Sequence, residues 1–136
     1  MDKQTTLDNK AVGYDILCPY CGNSAKFMTS KDFYGRDYGT NLYVCQPCDA
    51  RIGTHERTAN ALGTLAKAEL RELRRVAHSL FDPLWRGVKG KGDTRRMNRK
   101  EAYKWLYETM GVSKEDGHIA KFNEEQCRQL IAVLKN

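Results

Sequence analysis

The stretch CPYCGNSAKFMTSKDFYGRDYGTNLYVCQPCDA, residues 18–50, holds four of the five cysteines in a chain of 136 residues. They form two Cys-x-x-Cys pairs, Cys18 with Cys21 and Cys45 with Cys48, separated by 23 residues. Because a Cys-x-x-Cys turn presents two thiolates to one ion, two such turns complete a tetrahedral site. We therefore predict that these four cysteines hold one structural Zn²⁺, with no coordination position left for a reactive water.

Three alternatives compete with this interpretation. A thioredoxin-like redox pair would open a helix after a strand within a repeated βα pattern, which the sequence lacks. An iron–sulfur cluster also takes four thiolates, but paired Cys-x-x-Cys turns favour zinc. His55 follows Cys48 closely enough to replace one thiolate, although four cysteines already suffice.

Short runs of β-branched and aromatic residues surround the cysteines. We predict strands at 14–17 (YDIL), 25–30 (AKFMTS), 41–45 (NLYVC) and 50–53 (ARIG), with a glycine-rich turn at 31–40 (KDFYGRDYGT). Strands that alternate with two cysteine turns describe a zinc ribbon. Because a hairpin of this size buries too little apolar surface to fold alone, metal binding would supply the folding free energy.

The rest of the chain is predicted to be helical. Apolar residues recur with a helical period from Thr64 to Phe81, and Pro83 would end that helix. Gly111 is a predicted stop for a second helix. Capping-box patterns open this helix and the last one: Asn98 with Glu101, and Asn123 with Gln126.

Together these patterns predict a small α+β protein. Its predicted parts are a flexible N-terminus (1–12), a zinc ribbon (13–58), a long amphipathic helix packed on the ribbon (62–85), a basic flexible arm (86–97) and a short C-terminal helical unit (98–136). The arm is predicted from its composition, since glycine and lysine at high density oppose stable secondary structure.

The net charge of +6 is unevenly distributed along the chain. Residues 61–100 carry eleven Lys/Arg against four Asp/Glu, whereas the segments on either side are nearly neutral. Such asymmetry favours an acidic partner, of which nucleic acid is the commonest. The alternative is that the charge only keeps a linker solvated and extended.

One helix face and the basic arm are the predicted phosphate contacts. On the helix, cations lie opposite the apolar face at a spacing where like charges repel unless an anion is near. The arm runs into a helix start, where the helix dipole also disfavours cations. The predicted contacts are Arg71, Arg74, Arg75, Lys89, Lys91, Arg95, Arg96, Arg99 and Lys100.

Aromatic residues in the ribbon allow two interpretations. Tyr20, Phe33, Tyr34, Tyr38 and Tyr43 are interspersed with cations and are too many for a small hairpin to bury. They either pack against the amphipathic helix or offer a stacking surface to unpaired bases.

Nothing in the sequence indicates a membrane protein or an enzyme. No apolar run is long enough for a membrane span, and the start MDKQTTLDNK lacks the apolar stretch of a signal peptide, so we expect a cytoplasmic protein. A phosphate-cradling loop is lacking, and His55, His78 and His118 are far apart in sequence. We expect neither catalytic activity nor a small-molecule substrate.

Several short motifs of the sequence resemble one known family. They are CPYCG, YGRDYG, YVCQPCDARIGTH, LGTLAKAELRELRRVAHSLFDPLW, RKEAYKWL and HIAKF, in this order over nearly the whole chain. The family is a group of phage and prophage proteins described only as zinc-finger-containing. The resemblance implies zinc at Cys18, Cys21, Cys45 and Cys48 and a phage or prophage setting, hence the cytoplasm of a bacterial host. It implies no catalytic residues.

Two functions are consistent with these patterns. The first is a zinc-stabilised, non-catalytic nucleic-acid-binding protein, with DNA expected before RNA as the partner. The second is a protein-binding module that docks on and modulates a host complex, such as the transcription or defence machinery. The sequence leaves the choice between them open.

Overall fold

The computed structural model describes residues 16–88 and 90–136. The chain divides into two compact units, with the boundary between Ala68 and Glu69. The predicted flexible N-terminus, the first half of the strand predicted at 14–17, and Lys89 lie outside the described residues. Within the described ranges, no helix has the length and apolar character needed to cross a membrane.

The N-terminal unit is built on a three-stranded antiparallel sheet in the order β1-β2-β3. Its strands are β1 (Lys26–Thr29), β2 (Asn41–Cys45) and β3 (Ala50–Gly53). Phe27 of β1 and Ile52 of β3 both lie opposite Tyr43 of β2. The sheet, together with the helices of the remaining chain, confirms the predicted α+β class with an N-terminal ribbon.

The region predicted as a glycine-rich turn contains a short helix, α1 (Ser30–Tyr34). Thr29 caps this helix by accepting a hydrogen bond from the backbone N–H of Asp32 at 3.1 Å. Gly35 ends it in the left-handed region, with a φ of 82°. A threonine cap and a glycine stop are sufficient to define one helical turn. This helix was not predicted from the sequence, because the preceding residues form a strand-like run.

Tyr43 lies at the centre of the N-terminal core. Its side chain is 2% exposed, its ring stands edge-on to Phe27 at a centroid distance of 5.4 Å, and its hydroxyl donates to the carbonyl oxygen of Ala59 at 2.6 Å. Cys18 and Cys45 are buried in the same cluster. The apolar core and the predicted metal site therefore share residues.

The C-terminal unit is helical. Its helices are α2 (Ala68–Phe81), α3 (Pro83–Arg86), α4 (Arg99–Met110) and α5 (Glu124–Lys135), with a 3₁₀ helix at Ile119–Lys121. Asn98 and Glu101 form the predicted capping box before α4, and Gly111 ends this helix with a φ of 67°. The predicted box of Asn123 and Gln126 is equally complete before α5.

The amphipathic helix α2 is shorter than predicted. It starts at Ala68, because Ala66 is buried in the N-terminal unit and pairs with Arg51 in an antiparallel bridge. It ends at Phe81, as the following proline predicts. Pro83 then takes the first position of α3, where its missing N–H costs no hydrogen bond. The packing of this helix on the ribbon stays a prediction.

Arg74 does not lie on the exposed face predicted for it. The buried residues of α2 are Leu70, Arg74, Ala77 and Phe81. Arg74 is 6% exposed, and its Nε and Nη2 groups both donate to the carbonyl oxygen of Phe122, at 3.0 and 2.9 Å. The prediction that Arg74 contacts phosphate is therefore wrong, because its guanidinium is bound inside the protein.

The segment predicted as a basic arm leaves α3 and returns to it. Gly87, with a φ of 78°, allows the chain to turn away after the helix. The N–H groups of Arg96 and Met97 then donate to the carbonyl oxygen of Leu84 in α3, at 2.9 and 3.0 Å. Both ends of the basic segment are therefore fixed, and the flexibility predicted for it stays a prediction.

Arg74 and its neighbour Arg75 provide a matched pair for testing this anchor. Arg74→Ala removes two charge-assisted hydrogen bonds from the interior, so we expect the free energy of unfolding to fall by about 2–3 kcal/mol. Arg75→Ala removes only an exposed pair with Glu72 and should cost less than about 1 kcal/mol. Urea denaturation of the zinc-loaded protein, followed by circular dichroism, measures both. Equal losses in the two variants would contradict the anchoring role of Arg74.

Candidate metal centre and basic surface

The four cysteines of the ribbon converge on one point. Their sulfur atoms all lie within 4.8 Å of one another, and the Sγ atoms of Cys21 and Cys45 are 3.7 Å apart. Zinc–sulfur bonds of about 2.3 Å at tetrahedral angles place two sulfurs about 3.8 Å apart. A disulfide would need about 2.05 Å, and all five cysteines are free thiols. The donor set and its spacing fit one tetrahedral Zn²⁺.

Backbone hydrogen bonds shape both cysteine turns. In the first turn, the N–H of Cys18 donates to the carbonyl of Asn23 and the N–H of Gly22 donates to the carbonyl of Cys18, both at 2.8 Å. Gly22 has a φ of 80°, which a residue without Cβ adopts freely. In the second turn Asp49 takes this role with a φ of 54°, a conformation that aspartate tolerates better than most residues.

The cysteines differ in their surroundings. Cys18 and Cys45 are buried, Cys48 is half-buried and Cys21 is exposed. A hydrogen bond from the backbone of Asn23 lowers the pKa of the Cys21 thiol to about 7. Loss of solvent, followed by the neighbouring cysteines, raises the pKa of Cys48 to about 12. A divalent cation would offset the free-energy cost of ionising these cysteines, because it supplies the positive charge that four clustered thiolates need.

His55, the predicted alternative ligand, is not part of the cluster. In the part of the chain that the structure describes, these four sulfurs are the one group of histidine, cysteine or carboxylate ligand atoms close enough to hold a metal. His55 is exposed, and its backbone N–H donates to the carbonyl of Asn60 at 3.0 Å. Four thiolates would leave no open position, so the site would stabilise the ribbon and activate no water.

Two of the predicted phosphate contacts pair with carboxylates. Arg75 Nη2 lies 2.6 Å from Glu72 Oε2, and Arg95 Nε lies 3.0 Å from Asp93 Oδ1. The hydrogen bond from each arginine lowers the pKa of its partner carboxyl, so both acids are ionised at neutral pH. Because both pairs are exposed, each contributes little stability and a phosphate could compete for the guanidinium.

The described cations of the predicted set do not gather at one place in the C-terminal unit. Arg95 and Arg96 line a cavity of about 260 Å³, whereas Arg99 and Lys100 line a different one beside α4. The remaining residues of the predicted set are Arg71, half-buried on α2, Lys91, exposed in the loop after α3, and Lys89, outside the described residues.

Arg99 lies against two aromatic rings that the sequence analysis did not connect with it. Its guanidinium carbon is 4.6 Å from the ring centroid of Tyr103 and 5.3 Å from that of Trp85. Arg86 also lies over Trp85, at 4.7 Å. The contact between Arg99 and Tyr103 could have been predicted, because the two residues lie four apart on one helix. The contact between Arg99 and Trp85 could not, because it depends on α3, a helix that was not predicted.

The ribbon aromatics divide between core and surface. Tyr43 is buried, whereas Tyr34 and Tyr38 are 51% and 58% exposed and meet edge-on at a centroid distance of 5.7 Å. Arg36 lies 6.0 Å from the ring of Tyr38. The oxygen of Tyr20 accepts a hydrogen bond from the backbone N–H of Lys67. The N-terminal unit therefore exposes one aromatic pair beside a cation.

We expect Cys45→Ser to release zinc, because three thiolates leave the tetrahedral site incomplete. Zinc per chain, measured by elemental analysis after gel filtration, should fall well below one. Hydrogen exchange should rise across residues 16–68, since Cys45 also belongs to the apolar core there.

The control for this variant is Cys127→Ala, which alters a buried cysteine outside the cluster. This protein should retain one zinc per chain. Full zinc content together with unchanged exchange in the Cys45→Ser variant would contradict the four-cysteine site.

Comparisons with known proteins agree with a zinc site of this kind. Searches among curated proteins and among solved structures give no significant match. One family, described as a zinc-finger-containing domain, matches the chain over residues 14–136. Because this match spans nearly the whole chain and includes all four clustered cysteines, the protein belongs to the DUF3268 family of zinc-finger-containing domains.

Proposed function

We propose that this zinc-finger-containing protein binds nucleic acid and catalyses no reaction. Zinc would keep the ribbon folded, while cations of the C-terminal unit would contact phosphates. We expect DNA before RNA as the partner, in the phage or prophage setting that the sequence resemblance implies. The proposed phosphate-contacting residues are Arg71, Arg75, Lys89, Lys91, Arg95, Arg96, Arg99 and Lys100.

The observation that carries the proposal is the run of exposed cations leading into α4. Arg95, Arg96, Arg99 and Lys100 are all exposed. Asp93 is the single acid between residues 86 and 100, a stretch that contains seven Lys/Arg. Positive charge at this density attracts the phosphate backbone, whose contacts supply affinity with little sequence selectivity.

The start of α4 adds a second argument. Arg99 and Lys100 occupy its first turn, where the positive end of the helix dipole disfavours cations by about 0.3–1 kcal/mol each. A phosphate bound at this end would reverse the sign of that interaction, because helix N-termini attract anions. The capping box fixes the helix start at this position, so the cations remain there without any ligand.

The metal site supports the non-catalytic part of the proposal. A zinc ion that is held by four thiolates offers no position for a water or a substrate oxygen. Its contribution would be to fold the ribbon, so zinc removal should weaken any binding that depends on the N-terminal unit.

Charge reversal tests the proposal directly. We expect the zinc-loaded protein to bind labelled DNA in fluorescence anisotropy, with an affinity that falls steeply as salt rises. Arg95→Glu, Arg96→Glu and Arg99→Glu, made together, should reduce this affinity at least tenfold and flatten its salt dependence, because three phosphate contacts are lost. Duplex DNA, single-stranded DNA and RNA are compared in the same salt series.

The matched control carries Lys26→Glu, Lys31→Glu and Lys135→Glu, three exposed positions outside the basic segment. Both variants remove the whole formal net charge of +6, so they differ only in where the charge is lost. Equal weakening in both variants would mean that net charge alone drives binding. If the unaltered protein binds no nucleic acid at low salt, the proposal fails and a protein partner becomes the leading hypothesis.

A further inference from the structure

A cavity of about 470 Å³ lies beside α4 in the C-terminal unit. Its volume is within the range of about 300–1,000 Å³ that is typical of small-molecule sites. Four cations and two aromatic rings line it: Arg99, Lys100, Lys104, Lys114, Tyr103 and Tyr107.

One face of α4 forms the first wall of the cavity. Arg99, Tyr103 and Tyr107 follow one another at steps of four, so their side chains lie in one column on the helix. Lys100 and Lys104 form the neighbouring column. The buried residues of α4 are Ala102 and Leu106, which occupy different positions around the helix, so this face is left for the cavity.

The loop that follows α4 also lines the cavity and approaches the helix closely. A Cβ atom on Gly117 would lie 2.5 Å from Tyr107 Cβ and 3.2 Å from the carbonyl oxygen of Ser113. Only glycine therefore fits at this position without displacing the helix or the loop. The same loop supplies Lys114 and His118 to the lining of the cavity.

The lining of the cavity is strongly positive. No Asp or Glu belongs to it, and none of the ion pairs recorded among residues 16–88 and 90–136 involves its four cations. Four cations around one cavity repel each other, so an anion with several oxygens would be bound strongly. This charge pattern fits a phosphate.

The two tyrosines of the lining differ in what they contact. The Tyr103 ring lies under the Arg99 guanidinium at 4.6 Å and meets Phe81 edge-on at 5.2 Å. Within the described part of the chain, no ring–ring or cation–π contact involves Tyr107, which is half-buried beside Gly117 and lines the cavity. Aromatic side chains of this kind stack on bases irrespective of base identity.

His118 adds a neutral polar group to the cavity. His118 is exposed, but partial desolvation lowers the pKa of its imidazole, and the charges of Lys121 and Arg99 lower it further. The imidazole is therefore neutral at pH 7 and offers one donor and one acceptor nitrogen. A base edge or a sugar hydroxyl can both donate and accept hydrogen bonds, so it pairs better with a neutral imidazole than with another cation, which only donates.

We propose that this cavity binds one nucleotide unit, with its phosphate held by Arg99, Lys100, Lys104 and Lys114 and its base against Tyr107. The nucleotide comes either from solution, as a free mononucleotide, or from an unpaired position in a nucleic-acid strand. The second case rests on the nucleic-acid binding proposed above. The sequence predicts no small-molecule substrate, and a nucleotide bound here would be a ligand that undergoes no reaction.

The test uses calorimetric titration of the zinc-loaded full chain with adenosine 5′-monophosphate, inorganic phosphate, adenosine and a thymidine oligonucleotide. We expect the mononucleotide to bind with a stoichiometry of one and more tightly than either phosphate or adenosine. Lys104→Ala with Lys114→Ala should weaken mononucleotide binding about tenfold or more, because two of the four phosphate contacts are lost. Lys26→Ala with Lys31→Ala, at exposed positions in the N-terminal unit, should leave it unchanged.

A second variant tests the base contact. Tyr107→Leu keeps apolar bulk next to Gly117 but removes the ring, so it should weaken binding of the mononucleotide about fivefold or more and leave binding of inorganic phosphate unchanged. Amide chemical shifts of the unaltered protein, recorded with the mononucleotide, should change mainly within residues 99–118. This measurement does not depend on any variant folding.

Other outcomes would overturn the proposal that the cavity binds a nucleotide. They are binding of inorganic phosphate as tight as that of the mononucleotide, and amide chemical-shift changes outside residues 99–118. If the unaltered protein binds the oligonucleotide but not the mononucleotide, and the Lys104 and Lys114 double variant loses oligonucleotide binding, the cavity binds a nucleotide of a strand. Oligonucleotide binding that is unchanged by the double variant, with no binding of the mononucleotide, overturns this inference and leaves the proposed function intact. Mononucleotide binding in the cavity without binding of any strand or duplex supports this inference and overturns the proposed function.

Discussion

Four sulfur atoms gathered within 4.8 Å of one another are the constraint on which the N-terminal unit depends. Without a cation, ionised thiols at this spacing repel each other, and protonated thiols gain little from being close. With Zn²⁺ the same arrangement supplies folding free energy that strands of four or five residues cannot supply by themselves. Because Cys18 and Cys45 also belong to the core around Tyr43, metal binding and apolar packing would form or fail together.

The C-terminal unit is stabilised by different means. At the starts of α4 and α5, a complete capping box pairs the N–H of the cap residue and the N–H of the third helical residue. Arg74 binds the backbone of Phe122, the residue that separates the 3₁₀ helix from the cap of α5, and so connects α2 to a junction far along the chain. None of these interactions needs a metal. The protein therefore combines a unit whose fold would depend on zinc with a unit whose fold relies on hydrogen bonds and apolar burial.

Local signals in the sequence were sufficient to predict much of this structure. Each Cys-x-x-Cys pair lies within one turn, and two such pairs suffice for one tetrahedral site, so cysteine spacing identified the four clustered thiols. Asn98 with Glu101 located the start of α4, because a capping box also acts within one turn of the chain. Arg74 could not be placed in this way. Its burial depends on the carbonyl of Phe122, which is distant in sequence, and a charged residue within a basic pattern is normally exposed. The cavity beside α4 likewise needs a loop that closes on Tyr107, which no periodicity reveals.

The order of the two units along the chain has a consequence for biosynthesis. The four clustered cysteines lie between residues 18 and 48, and the N-terminal unit ends at Ala68. At about 5–20 residues per second, a ribosome needs several seconds to add residues 69–136. The ribbon would therefore have time to bind Zn²⁺ and fold while the helical unit is still being translated. Zinc supply at that moment, and not only in the finished protein, would then govern how much chain reaches the native state.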